Sequence, residues 1–116
     1  WSGETRSYSG ETVQVGNAGT VDLHPVVVWS GSGQSVTLPD SRVIALPTVS
    51  GEHRMTLNPG DGFKVWGPDG KDAVNVWAAF RGRDARAPIA PGQYRQFGLT
   101  SGVTIEATPL HENPWR

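Results

Sequence analysis

Apolar and polar residues alternate in short stretches along the first half of the chain. Val13 and Val15 are separated by one polar residue, and so are Val36 and Leu38. Between these pairs, residues 26–29 form an unbroken apolar run. A period of two is typical of a β-strand with one buried face, and a short apolar run is typical of a strand covered on both faces. The pattern therefore predicts strands at all three places.

The second half of the chain continues this pattern. Residues 43–46 form another apolar run, and Met55 and Leu57 alternate with polar neighbours. Residues 94–99 and 103–108 are apolar-rich stretches separated by a short Thr-Ser-Gly connection. Such a short, glycine-containing connection between two strands predicts a β-hairpin.

Turn-forming residues separate these stretches. The chain holds 15 Gly and 9 Pro among 116 residues, and both residue types end helices and favour turns. The strongest turn signals lie at residues 58–62 (NPGDG) and 67–70 (GPDG). The apolar stretches and turns together predict about eight or nine short strands, and their spacing along the sequence is typical of β-sandwiches. The predicted fold class is all-β, a single antiparallel β-sandwich.

Residues 71–81 fit two secondary structures. As a strand, the even-numbered residues from Val74 to Phe80 share one face. As a helix, Val74 shares a face with Trp77, Ala78 and Arg81. The neighbouring strands and the β-branched valines favour a strand. We therefore predict a strand and keep the helix as the alternative.

The N-terminal segment differs from the rest of the chain. Residues 1–12 are polar and contain an imperfect repeat, SGET at 2–5 and again at 9–12. Low hydrophobicity predicts a linker or an edge strand here, with the sandwich domain at residues 13–116. Because the chain begins at Trp1, we expect it to be a piece of a longer protein.

Composition excludes several classes of function. The formal net charge is −1, without the basic excess that nucleic-acid binding requires. No apolar run approaches the roughly 18 residues of a membrane span. The chain contains no cysteine, so disulfides, thiolate metal sites and cysteine nucleophiles are excluded. We predict neither a nucleic-acid nor a membrane partner.

No catalytic arrangement is recognisable in the sequence. There is no Gly-x-Ser-x-Gly elbow and no phosphate-binding glycine loop before a helix. The histidines stand apart and are interpreted as ordinary surface or edge residues: His24, His53 and His111. Three aspartates around two turns have oxygen ligands suited to calcium, but Asp beside Gly is also typical of turns, which we favour: Asp61, Asp69 and Asp72. We predict no catalytic residue, cofactor or metal, and hence no enzyme.

Aromatic residues are the main candidates for ligand contact. Trp29 and Trp77 lie inside apolar runs and are predicted to be in the core. Trp66 lies on the polar side of its strand and, with Tyr94, is a candidate stacking surface for sugars, with packing at the sheet edge as the alternative for Trp66. A flat ring suits the C–H face of a sugar.

Charged and terminal residues supply a second set of candidates. Arg81, Arg83 and Arg86 fall in one charged loop, and Trp115 lies near the C-terminus. Arginine and tryptophan are enriched at protein interfaces. We predict these four residues as partner contacts, with a solvated loop as the alternative for the arginines.

Four phrases follow one another along the chain: VGNAGT at 15–20, HPVVV at 24–28, LNPGD at 57–61 and IAPG at 89–92. In this order they resemble the C-terminal domain of siphophage distal tail proteins. The resemblance covers residues 13–109. Each phrase is a turn that many sandwiches use, so the order of the phrases carries the resemblance.

This resemblance implies a sandwich of the galectin-like or jelly-roll type and a non-enzymatic role in scaffolding or docking at the tail tip. The implied partners are other tail or baseplate proteins. The implied location is the virion tail, assembled in the host cytoplasm. Distal tail proteins form hexameric rings through their N-terminal domain, so the isolated C-terminal domain is expected to be monomeric.

Two other functions remain open on the sequence. The first is a carbohydrate-binding module that uses exposed aromatics, with host-surface carbohydrate as the ligand. It requires Trp66 and Tyr94 to be exposed on one groove. The second is an adhesion sandwich of the cell surface.

Overall fold

Nine strands and one short helix form the part of the chain that the computed structural model describes, residues 5–58, 63–78 and 87–108. In chain order the elements are β1 (Arg6–Ser9), β2 (Thr12–Gly16), β3 (Val26–Gly31), β4 (Gln34–Thr37), β5 (Val43–Leu46), β6 (Val49–Thr56), β7 (Val65–Trp66), α1 (Val74–Ala78), β8 (Tyr94–Leu99) and β9 (Thr104–Ala107).

The strands form two sheets that enclose one apolar core. The first sheet has five strands in the order β1-β9-β3-β6-β7, and the second has four in the order β2-β8-β4-β5. All strand pairs in both sheets are antiparallel. The predicted antiparallel β-sandwich is therefore confirmed.

Every second residue of a strand contributes to the core, as the neighbouring strands β3 and β6 show. Val27 and Trp29 of β3 and Met55 of β6 face the core and are almost fully buried. The Trp29 indole Nε1 donates a 2.9 Å hydrogen bond to the Pro47 carbonyl, so the polar atom of this side chain is satisfied. The predicted core position of Trp29 is confirmed.

The predicted hairpin of residues 94–99 and 103–108 is wrong, because its two strands belong to different sheets. β8 pairs with β2 and β4, whereas β9 pairs with β1 and β3. A tight turn carries the chain between the sheets, closed by a 3.1 Å hydrogen bond from the Val103 N–H to the Thr100 carbonyl. Since β2 and β4 occupy both edges of β8, no edge is left for β9.

A second crossing between the sheets lies beside this turn. β1 and β2 are joined through Gly10 and Glu11 and also belong to different sheets. The Leu99 N–H donates a 2.8 Å hydrogen bond to the Glu11 carbonyl, which ties the two crossings together. β1 lies at the edge of the five-stranded sheet. The division of the chain after residue 12 stays a prediction.

The strand predicted for residues 71–81 is also wrong. Val74–Ala78 form a helix, and residues 79–81 lie outside the described residues. Trp77 was predicted to be in the core, but 36% of its surface is exposed. The helical alternative, which spaced Val74 and Trp77 on one face, was the better interpretation.

Val74–Ala78 form a helix rather than a strand because the edge of β7 is already paired. Asp72 pairs with Trp66 in an isolated bridge, and the Ala73 N–H donates a 2.9 Å hydrogen bond to the Val65 carbonyl. These two residues already complete the edge of the short strand. The Trp77 N–H instead donates to the Ala73 carbonyl over 2.9 Å, which closes a helical turn and satisfies the backbone locally.

A buried asparagine ties the loop after β2 to the segment before β8. Asn17 is 3% exposed, and its Nδ2 donates to the carbonyls of Val21 at 2.8 Å and Ile89 at 2.7 Å. Its Oδ1 accepts a 2.8 Å hydrogen bond from the Gly19 N–H. Leu23 and Ile89 also exchange two backbone hydrogen bonds of 2.9 Å. The two segments therefore form one fixed unit at this end of the sandwich.

Candidate binding surfaces

Four of the residues predicted to make contacts lie outside the described residues. They are Arg81, Arg83, Arg86 and Trp115. The structure therefore places the other two, Trp66 and Tyr94, which were predicted to stack on sugars.

Trp66 lies on the outer face of the five-stranded sheet. Its neighbour Val65 is 1% exposed and faces the core, whereas Trp66 is only partly buried. Arg54 of β6 is its cross-strand partner, and Asp72 pairs with it from the other side. Two backbone pairings thus fix the position of Trp66 while part of the residue faces solvent.

Trp66 lines a groove of about 460 Å³ on this face, the outer-face groove. Its other lining residues are Thr5, His24, Val26, Arg54, Thr56, Asn58, Glu106 and Thr108. Small-molecule sites usually enclose about 300–1,000 Å³, so the volume is sufficient for a small ligand. The lining combines one large aromatic residue with hydroxyl groups and one pair of opposite charges.

Arg54 is held by two carboxylates. Its Nε donates a 3.0 Å hydrogen bond to Glu106 Oε1, and its Nη1 lies 2.8 Å from Glu52 Oε1. The hydrogen bond to Glu106 raises the pKa of Arg54 above its ordinary value because it stabilises the charged form, while burial opposes this rise. The guanidinium therefore remains charged throughout the physiological range.

The Arg54 side chain crosses a whole strand to reach Glu106. β3 lies between β6 and β9, which carry these two residues. Val28, the register partner of Arg54 on β3, is 7% exposed although it lies outside the core cluster. The stem of an arginine commonly covers apolar surface, and β3 offers Val28 opposite Arg54 and Val26 opposite Glu106. The ion pair therefore lies against the sheet.

His24 is a functional candidate that the sequence interpretation passed over. It lines the outer-face groove and is partly buried rather than fully on the surface. Its buried Nδ1 has no hydrogen-bond partner within the described part of the chain. Buried polar atoms are nearly always paired. An unpaired ring nitrogen beside a groove is therefore a candidate for contact with a ligand.

Tyr94 lies on the other sheet and is 69% exposed. Its cross-strand partner is Gly16, and a Cβ atom at that position would come within 2.5 Å of the Tyr94 ring. The ring thus packs directly over the glycine backbone. With Arg6 and Tyr8, Tyr94 lines a cleft of about 200 Å³.

The structure does not bring Trp66 and Tyr94 together. Trp66 belongs to the five-stranded sheet and Tyr94 to the four-stranded sheet. They line two different cavities with no lining residue in common. A single sugar site that uses both aromatics is therefore not supported.

The other titratable candidates have structural roles. The interpretation of His53 as a surface or edge residue is wrong: it is 9% exposed and is the register partner of Trp29 on the inner side of β6. Its ring centroid lies 6.0 Å from that of Trp29, and its Nδ1 lies 3.0 Å from the Gly51 carbonyl. His111 lies outside the described residues.

Two of the three aspartates considered for calcium have protein partners. Asp69 accepts a 3.0 Å hydrogen bond from the Lys71 N–H, and Asp72 lies 3.2 Å from Lys64 Nζ. Asp61 lies outside the described residues. Within residues 5–58, 63–78 and 87–108, no group of three or more His, Asp or Glu side chains is placed to hold a metal ion. No helix of these residues is long and apolar enough to span a membrane.

No protein-family model matches the chain, and a comparison with curated proteins found no match. Among solved structures, it is similar to the crystal structure of SPP1 Dit (gp 19.1), which is described as a paradigm of the hub adsorption apparatus in phages that infect Gram-positive bacteria. The TM-score is 0.60 at 13% sequence identity. The match covers 91% of this chain and 45% of SPP1 Dit, so this chain accounts for less than half of that protein's length.

At this identity the likeness shows a shared fold. The β-sandwich expected from the resemblance is confirmed by the two antiparallel sheets, and a similar fold occurs in SPP1 Dit.

Proposed function

We propose that this chain is a non-enzymatic structural domain of a phage or prophage tail protein, which scaffolds or docks other components at the tail tip. One observation carries the proposal: 91% of the chain superposes on part of SPP1 Dit, which is described as a paradigm of the hub adsorption apparatus in phages. The order of the sequence phrases that resemble distal tail proteins supports the same class independently.

Two of those phrases contact each other in the structure. Asn17 belongs to the phrase at 15–20 and Ile89 to the phrase at 89–92, and they share a 2.7 Å hydrogen bond. A contact of this kind ties the phrases to one structural unit, as expected if they are parts of one fold rather than unrelated turns.

The proposal assigns partners and a location. The partners are other tail or baseplate proteins, and the domain belongs to the virion tail after assembly in the host cytoplasm. Arg81, Arg83, Arg86 and Trp115 remain candidate contacts for these partners. On its own the domain is monomeric.

Immunogold electron microscopy tests this assignment. Antibodies raised against the purified chain are applied to phage particles released from the source organism after prophage induction. Gold at the distal end of the tail supports the proposal. Labelling of capsids alone, or of the host surface with no labelled particles, contradicts it, and the second pattern favours an adhesion domain. Pre-absorption of the antibodies with the purified chain provides the control.

Carbohydrate binding is the second candidate function. The observation in its favour is the outer-face groove, in which a partly exposed tryptophan lies beside a paired arginine and glutamate. A tail domain and a sugar-binding domain are compatible, because a tail tip has to meet the host surface.

A further inference from the structure

We propose that the outer-face groove binds a neutral saccharide, with Trp66 stacked on a sugar ring and the Arg54–Glu106 pair bound to ring hydroxyls. This site differs from the one expected from the sequence, because it excludes Tyr94 and adds residues that no sequence pattern indicated. It does not depend on the proposed tail function.

Trp66 supplies the apolar surface. The residue is partly exposed and is fixed by pairing with Arg54 and Asp72. A large aromatic ring with few rotatable bonds provides contact area at a low cost in conformational entropy. It therefore suits the C–H face of a sugar ring.

Arg54 and Glu106 supply directional hydrogen bonds. The contacts to Glu106 and Glu52 involve Nε and Nη1 of Arg54, so Nη2 remains as a donor, and the second carboxylate oxygen of Glu106 remains as an acceptor. Each hydroxyl group of a sugar can both donate and accept a hydrogen bond, so two adjacent hydroxyls can bind a donor and an acceptor together. Because the ion pair already holds both side chains, a ligand finds the donor and the acceptor in place.

The charge of the groove selects the class of saccharide. Among the described residues that line the groove, Arg54 is the one permanent cation, and Glu106 neutralises it while Glu52 adds a second carboxylate nearby. A sialylated or sulfated glycan would gain less from this guanidinium than a free cation would offer, because two carboxylates already balance it. The remaining polar lining comes from hydroxyl and amide side chains, which match neutral hydroxyls: Thr5, Thr56, Asn58 and Thr108.

His24 adds an unused hydrogen-bonding group. Its Nδ1 has no partner among the described residues, so a small rotation of the imidazole does not break a hydrogen bond of the fold at that atom. A ligand hydroxyl that reached this atom would supply its missing hydrogen bond.

A peptide is a poorer occupant of this face. An extended peptide usually binds by adding a strand to an open sheet edge. Beside Trp66 the edge of β7 is already paired with Asp72, and Ala73 bonds to Val65. The groove thus offers side chains rather than free backbone groups.

A glycan array probed with the purified chain tests this site. The array carries neutral hexose and N-acetylhexosamine oligosaccharides beside sialylated and sulfated glycans, and hits are titrated by calorimetry. We expect binding to neutral glycans. Trp66→Ala and Glu106→Gln should each weaken it at least tenfold, about 1.4 kcal/mol. Tyr94→Ala, which removes an exposed aromatic outside the groove, should leave the affinity unchanged.

A second measurement does not depend on the folding of any variant. In the wild-type chain, the indole N–H resonance of Trp66 should shift on titration with the glycan. As a separate check, Trp66→Phe should retain part of the affinity. The absence of binding to any glycan on the array overturns the proposal, and so does binding restricted to acidic glycans. Binding that is lost in Tyr94→Ala but kept in Trp66→Ala also overturns it. None of these outcomes affects the immunogold test of the tail assignment.

Discussion

Asn17 Nδ2 lies 2.7 Å from the carbonyl oxygen of Ile89, a residue 72 positions further along the chain. With the bonds to Val21 and Gly19, every polar atom of this buried amide side chain is used in holding one loop against another. The side chain can be buried because its polar atoms are all paired, and its bonds add to the backbone pairing of Leu23 with Ile89.

Asn17→Ala is expected to lower the free energy of unfolding by about 2–3 kcal/mol, since it removes three hydrogen bonds and leaves the Val21 carbonyl without this partner. Urea unfolding followed by tryptophan fluorescence measures the change. Gln14→Ala, on the exposed face of β2, is the matched control and should change stability by less than about 0.5 kcal/mol. Equal losses in the two variants would contradict the role assigned to Asn17.

Gly16 and Tyr94 should be energetically coupled. A Cβ atom at position 16 would meet the Tyr94 ring at 2.5 Å, so the ring has to move away in Gly16→Ala. The substitution should therefore cost more with Tyr94 present than in a Tyr94→Ala background. We expect a coupling energy of about 0.5–1 kcal/mol from the double-mutant cycle. Additive effects would show that the ring does not rest on the glycine.

Trp29→Phe should destabilise the sandwich by about 2–3 kcal/mol, because it leaves a small cavity and removes the donor to the Pro47 carbonyl. Chemical denaturation provides the measurement. Trp77→Phe is the natural comparison, since Trp77 is 36% exposed, and its cost should be clearly smaller. A reversed order would place Trp77, not Trp29, in the core.

The Arg54–Glu106 pair should contribute little to stability. The two side chains are 31% and 25% exposed, and pairs that solvent reaches are worth about 1 kcal/mol or less. Glu106→Gln should therefore unfold within about 1 kcal/mol of wild type, as measured by urea titration. A much larger loss would assign the pair a structural role.

Arg54 should add no pH dependence to stability in the physiological range. Its folded pKa is raised, so its contribution is fully present below the unfolded pKa and is lost only as the pH rises through the folded pKa. Both lie far above neutral pH. Arg54→Met should therefore leave the slope of stability against pH unchanged between about pH 7 and 9.

Chelators should not change the melting temperature. Asp69 caps its own turn, and Asp72 lies beside Lys64, so neither carboxylate needs a cation to balance it. Calorimetric scans with and without EDTA measure the effect. A fall in melting temperature with EDTA that added calcium reverses would restore the calcium interpretation of these turns.

Much of the sandwich was predictable because burial alternates within single strands. Val13, Val15 and Val36 follow the period of two that one covered face imposes, and all are buried. That signal is local, so sequence alone reveals it. The first part of β6 was not predicted because residues 50–54 contain no apolar side chain and include Gly51 at a positive φ.

The partners of the strands were not predictable in the same way. The Thr-Ser-Gly phrase marks a turn, but whether that turn joins neighbouring strands or crosses between sheets depends on which edges other strands occupy. The outer-face groove was not predictable for the same reason, because it depends on the order of the strands in the sheet. Arg54 and Glu106 are 52 positions apart, and only the order β6-β3-β9 brings them into contact across Val28.

The pairing of β1 with β9 has a mechanical consequence. Arg6 lies opposite Ala107, and the hydroxyls of Thr5 and Thr108 are 2.6 Å apart, so the two ends of the described fold leave the sandwich side by side. A force applied between these points pulls the two strands apart one rung at a time instead of shearing them all at once. Under an applied force, β1 should therefore separate from β9 first, while the strands that cover the core remain paired.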